Sequence, residues 1–175
     1  MPTLEKYTPL RVALHWLMAL LLVAVYATID LHEMFPKGSD LRGALRTWHF
    51  TLGMTVLGLV VLRILAHWAQ PAPPPLAGPA WQLTLARLVH AGLYLLMIAM
   101  PLAGWLAQSA AGKPVMFYGL ELPMLIGLDK ALSHQIKEVH EAMGTAGYFI
   151  IGLHALGALF HHHVLKDNTL RRIWL

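Results

Sequence analysis

His140–His163 reads HEAMGTAGYFIIGLHALGALFHHH, a run apolar enough for a bilayer that nevertheless carries five histidines. His140 and His154 are fourteen residues apart. At about 100° and about 1.5 Å per residue, fourteen helical steps return to within about 40° of the starting face, about 21 Å further along. One helix therefore presents two imidazoles on one side at two membrane depths. Gly144, Gly147 and Ala158 fall near the same face and leave it with little side-chain bulk. That pattern suits a helix carrying two flat, bulky cofactors. Histidine is costly inside a bilayer and usually functional there. Hydrogen bonding within a bundle is the ordinary alternative for any single one, and it explains the spaced set less well.

The rest of the chain is equally apolar. Hydrophobic residues make up 57% of the 175 and charged residues 13%, with a mean hydropathy of +0.56. A soluble domain would be about a quarter charged, so the composition points to an all-α integral membrane protein forming a single domain over residues 1–175. The absence of cysteine excludes covalent Cys-x-x-Cys-His haem attachment, thiolate-held clusters and disulfides. The net charge of +4 is no nucleic-acid signal in such a chain, where the distribution of charge among loops matters more. The first apolar run leads straight into a histidine-bearing helix without a small-residue cleavage pattern, so no cleavable signal peptide is expected.

Four stretches reach the roughly 20 residues that a spanning helix needs: about 12–29, 44–66, 83–107 and 139–164. Pro36–Asp40 makes a turn between the first two, and QPAPPPLAGP (70–79) forms an extended linker between the second and third. Pro101 is expected to kink the third span. Residues 108–137, with apolar patches too short to cross, are expected to lie as a lid at the interface.

Charge sets the orientation. Lys6, Arg11, Arg63, Arg87, Lys166, Arg171 and Arg172 gather on one side with only Glu5 and Asp167 against them, while the other side is about neutral or slightly acidic. The short basic termini and the proline linker are therefore placed in the cytoplasm. Each histidine then acquires a depth: His15 and His154 near the inner face, His49 and His140 near the outer face. Two trans-membrane bis-histidine sites follow, one above the other. Four imidazoles with no thiolate and no carboxylate at matching depth favour haem iron. Structural zinc would want its four ligands at one point. Two non-covalent b-type haems are expected, with His15 and His154 on the inner iron and His49 and His140 on the outer one.

These landmarks resemble the bacterial cytochrome b561 family over nearly the whole chain. They are Leu14-His15-Trp16, His49, Val61-Leu62-Arg63, the PAPPP linker, His90-Ala-Gly-Leu-Tyr-Leu-Leu and Phe117-Tyr-Gly-Leu, and above all the run from His140-Glu141 through Gly147–His154 and His161-His162 to Lys166-Asp-Asn-Thr-Leu. The resemblance implies a four-helix di-haem protein of the bacterial inner membrane with the same ligand pairing. It also implies superoxide oxidase activity, with electrons taken from superoxide outside and passed to ubiquinone. A cytochrome b anchor subunit, fed by a partner dehydrogenase docked on the 108–137 loop, is the alternative it leaves open. A third consecutive histidine, His163, and the outer loop depart from the pattern and leave the electron donor open.

Other candidates are single residues. Arg63, fourteen after His49, and Arg11, one turn before His15, are candidates for haem propionates; snorkelling is the alternative for both. His161, seven after His154, is a candidate quinone contact near the inner haem. His90 is expected to make a bundle hydrogen bond. The tryptophans near span ends read as an interfacial belt. Arg42, Arg46 and Lys137 fall within about 20–60° of the outer ligand faces, whereas Glu138 and Glu141 turn about 160° and 100° away. A small cationic mouth above the outer haem, attractive to a small anion, is therefore expected.

Overall fold

The structure is a computed structural model that describes residues 6–74, 76 and 78–174; Glu5 of the orientation argument and Pro75 and Ala77 of the linker lie outside them. Four helices dominate: α1 Pro9–Met34, α2 Asp40–Ala69, α3 Ala80–Ala110 and α4 Lys130–Phe160. All four are long and apolar enough to cross a membrane. Local chemistry fixes their starts. Pro9 sits in the first turn of α1, the Ser39 hydroxyl accepts from Arg42 N, and the Asp129 carboxylate accepts from Leu132 N.

Each helix overruns its apolar run, because polar turns at the membrane margin continue the helix into the interface. The largest difference is at α4, which begins at Lys130 rather than near 139. KALSHQIKEVHEA is too charged to span but rich in good helix formers, and the Asp129 cap starts it. Pro101 lies inside α3 without ending it.

The expected lid is a built element. Strands β1 Val115–Phe117 and β2 Leu120–Leu122 pair antiparallel, with Phe117 opposite Leu120. The two-residue turn Tyr118-Gly119 has φ of 48° and 86°, the left-handed pair that a tight hairpin demands. The hairpin packs on α2: Val115 is 3% exposed, and Thr51 donates to the Met116 carbonyl at 3.2 Å. Trp105 donates to the Pro123 carbonyl at 3.0 Å and Leu125 N to the Ser109 hydroxyl at 3.1 Å, which pin the segment after β2 to α3. This end of the molecule, which also carries the α1–α2 turn, is the hairpin end. The opposite one is the terminal end.

α1 packs along α2 and α3 along α4, and α2 and α3 share a smaller seam; α4 has no comparable seam with α1 or α2. Met18, Val56, Val60 and Met97 form the buried core where α1, α2 and α3 meet. Outward side chains such as Leu20 and Phe149 are two-thirds or more exposed, as lipid-facing residues are in the absence of lipid. α4 is thus held off α1 and α2, with a gap between them that side chains reach across.

Candidate cofactor site

The histidines fill that gap in two pairs. At the hairpin end, the rings of His49 on α2 and His140 on α4 have centres 6.2 Å apart. At the terminal end, His15 on α1 and His154 on α4 are 6.0 Å apart. Two imidazoles on opposite sides of one metal ion, each with a nitrogen about 2 Å from it, place their ring centres about 6 Å apart. Both pairs meet that spacing. No three His, Cys, Asp or Glu side chains are placed to hold one ion among the described residues, so the donors come as pairs and not as a cluster.

The His49/His140 pair stands in a cavity of about 760 Å³, a size that takes a large organic cofactor. Its walls are kept flat by small residues. Gly53 and Gly144, each four residues beyond a histidine of the pair, line it. A methyl group on Gly53 would meet nothing within 4 Å, and one on Gly144 only Met100 Cε at 3.6 Å. On α3, a methyl group at Gly104 would lie 3.3 Å from His140 Cε1, so the absent side chain lets that ring sit where it does. Gly147, expected on the cofactor face, serves packing: any Cβ there would collide with the Tyr26 hydroxyl. That hydroxyl donates to the Gly144 carbonyl at 2.9 Å, and Tyr148 donates to Asp30, so two tyrosines bridge α1 and α4 at the cavity's flank.

Hydrogen bonds set the ring nitrogens. His49 Nδ1 lies 3.1 Å from the Val25 carbonyl, to which it donates, leaving Nε2 free for a metal. At the terminal pair, Arg63 Nη2 donates to His15 Nδ1 at 3.1 Å and Arg63 Nε to the Tyr94 hydroxyl at 3.3 Å. The fourteen-residue spacing thus delivers Arg63 to the site. His90 joins it too, with its ring centre 5.1 Å from that of His154. Arg11 does not: its guanidinium donates to the Pro71 carbonyl at 3.1 Å, contacts His67 Nδ1 at 2.8 Å and lies over the Tyr7 ring. Those contacts tie α1 to the end of α2. The Trp16 indole, near the terminal end of α1, donates to the Ile173 carbonyl at 2.7 Å and ties that segment to the bundle.

The charged end of the cavity differs from the expected mouth. Arg42 grips both carboxylate oxygens of Glu33 at 3.1 and 3.0 Å and donates to the Phe35 carbonyl at 2.7 Å. Lys137 pairs with Glu141, which lines the cavity instead of turning away, because both side chains are long enough to meet one helical turn apart. Arg46, Lys37 and Lys113 also line it and have no carboxylate partner among the described residues. With Asp30 also in the lining, five cations stand against three carboxylates and the cavity keeps a net charge of +2.

At the terminal end, His161 opens a π turn and its Nδ1 lies 2.6 Å from Asp167. Sequence spacing alone missed Asp167, because residues six apart do not meet on a regular helix and only the π turn and the left-handed reversal at Lys166 fold Asp167 back onto His161. Gly53 and Gly104 were missed as well, although Gly53 lies one turn from His49 and was legible by the reasoning applied to Gly144.

Residues 6–175 match the family model described as prokaryotic cytochrome b561. Cytochrome b561 homolog 1 of Escherichia coli (strain K12) is 34% identical over 174 residues, covering 97% of each chain. The probable superoxide oxidase CybB of Yersinia pestis is 35% identical over 170 residues, covering 97% of this chain and 96% of that one. Cytochrome b561 homolog 2 of Escherichia coli (strain K12) is 28% identical over 180 residues, covering 98% of this chain and 92% of its own.

Proposed function

Because this chain belongs to the prokaryotic cytochrome b561 family, whose members are membrane electron-transfer proteins carrying b-type haem, we propose that it holds two haems b and oxidises superoxide at its hairpin end while reducing ubiquinone at its terminal end. The observation that carries the reading is the pair of imidazole gaps, 6.2 and 6.0 Å, set at the two ends of one membrane bundle. When bound, the haems supply the one-electron chemistry that links the two ends.

The chain's own residues do the rest. His49 and His140 hold one haem and His15 and His154 the other. A haem held by two histidines would favour electron transfer over oxygen binding. The Val25 carbonyl takes the His49 Nδ1 proton, so Nε2 is the nitrogen that would hold the haem. His15 would hold a haem through Nε2 with its proton on Nδ1, and Arg63 would then be available to pair with a haem propionate. His90 packs the inner ligand. Arg46, Lys37 and Lys113 raise the local concentration of a small anion at the hairpin end. His161 contacts the quinone. The basic termini support an orientation with the termini in the cytoplasm and the hairpin end on the outside of the bacterial inner membrane.

Superoxide generated beside the purified protein should reduce its haem bands, superoxide dismutase should abolish the effect, and ubiquinone should reoxidise the haems. A protein that dithionite reduces but superoxide leaves oxidised contradicts the reading. That outcome supports the anchor-subunit alternative, with a protein donor on the hairpin, where Tyr118 and Leu120 are exposed.

A further inference from the structure

The end of α4 carries a side-chain pair that electron transfer through the haems leaves unused. The π turn His161–Leu165 is followed by Lys166 in the left-handed region, with φ 54°. The widened turn and the reversal after it bring Asp167 back over the residue six before it. Asp167 N donates to the His161 carbonyl at 3.1 Å, and carboxylate Oδ2 lies 2.6 Å from His161 Nδ1. The other oxygen, Oδ1, accepts from Thr169 N at 2.8 Å. Single π turns are rare and recur at functional sites, and a non-glycine residue with positive φ is uncommon.

Burial alone would raise the Asp167 carboxyl, but the hydrogen bonds from His161 and Thr169 outweigh it and hold the group below the usual carboxylate range. An anion at Nδ1 keeps a proton there and leaves Nε2 to face a ligand. At the same end, His162 Nδ1 and Arg172 Nε are buried without a partner among the described residues. A bound polar molecule would satisfy such atoms.

We propose that Asp167 is the positioning residue of a proton-delivering dyad, its carboxylate holding Nδ1 of His161 so that Nε2 serves a quinone carbonyl. The proposal rests on the quinone reading above and names how the proton arrives. Reduction of one quinone to quinol takes two electrons, drawn one each from two superoxide ions that leave as dioxygen. It also takes two protons, one on each carbonyl oxygen. Doubly protonated His161 gives its Nε2 proton to the nearer carbonyl, keeps Nδ1–H toward Asp167, and is reprotonated by water at the terminal end. The far carbonyl takes its proton from the same water.

Asp167→Asn tests this, because a carboxamide of the same shape donates to Nδ1 and moves the imidazole proton to Nε2. Three measurements are made on the haem-loaded protein: the visible spectra of both haems, reoxidation of the pre-reduced protein by ubiquinone-1, and the ¹⁵N tautomer of His161 in the reduced, diamagnetic state, assigned against His161→Gln. The expected result is two intact haem spectra, a moved proton and reoxidation about 100-fold slower, with Asp167→Glu recovering most of the rate. A moved proton with an unchanged rate overturns the proposal, as does a slowed rate with the tautomer unmoved, which would make Asp167 merely structural. Wild-type protein that ubiquinone-1 does not reoxidise overturns the quinone reading itself, and this proposal with it.

Discussion

At Gly104 one absent methyl group decides where the His140 ring lies, since a Cβ there would come within 3.3 Å of Cε1. Gly104→Leu should displace that ring and cost the His49/His140 haem while the other remains; a variant with both haems in the visible spectrum would show the contact to be slack. Asp167 makes a pH prediction. Its folded-state pKa is lowered, so the stability it contributes is fully present above the carboxyl's unfolded value and is lost as pH falls through the folded one. Acid strong enough to protonate that carboxyl, below the ordinary carboxylate range, should therefore loosen the terminal end of wild type, read as a falling melting temperature, while Asp167→Asn should respond less over the same range. The same residues mark how far sequence reasoning reached. The places of four histidines and Arg63 were legible because helical spacing converts number into face and depth. Gly104 and Asp167 were not, because one matters through a neighbouring helix and the other through a π turn.

Among the elements, the hairpin and the charged rim depart most from expectation, and both for local reasons. Tyr118-Gly119 supplies the left-handed turn that closes β1 on β2. Placing a branched side chain at Gly119, φ 86°, should cost about 1–2 kcal/mol. Gly119→Val should open the hairpin to limited proteolysis, and unchanged resistance would show that the packing of Val115 alone holds it. The rim was read from helix angles, which place a charge but not its partner. Arg42 lies where expected yet is engaged by Glu33 and the Phe35 carbonyl. Steering therefore falls to Arg46, Lys37 and Lys113. Arg46→Glu/Lys113→Glu should slow haem reduction by superoxide at low salt and converge on wild type as salt screens the charges. Equal rates at low salt would remove steering from the account.

For the whole molecule, the arrangement that matters is α4 standing off α1 and α2 while packing on α3. Histidines at matched depths bridge the gap, and that architecture was legible because a membrane span ties residue number to depth. The start of α4 was not, since a charged turn outside the hydrocarbon is helical without being apolar. Orientation can be tested cleanly because the chain has no cysteine. Single cysteines placed at Ser39 and at Lys166 should label from the periplasmic and cytoplasmic sides respectively, and the reverse pattern would invert every inner and outer assignment made here. The central claim, that two imidazole pairs hold two haems, is tested most directly by the haem-to-protein ratio and residual spectrum of four single variants beside wild type. We predict two acid-acetone-extractable haems in wild type and one in each variant. His49→Ala and His140→Ala should share one residual spectrum, and His15→Ala and His154→Ala the other. One haem per wild-type chain, or a residual spectrum shared by His49→Ala and His154→Ala, would contradict it.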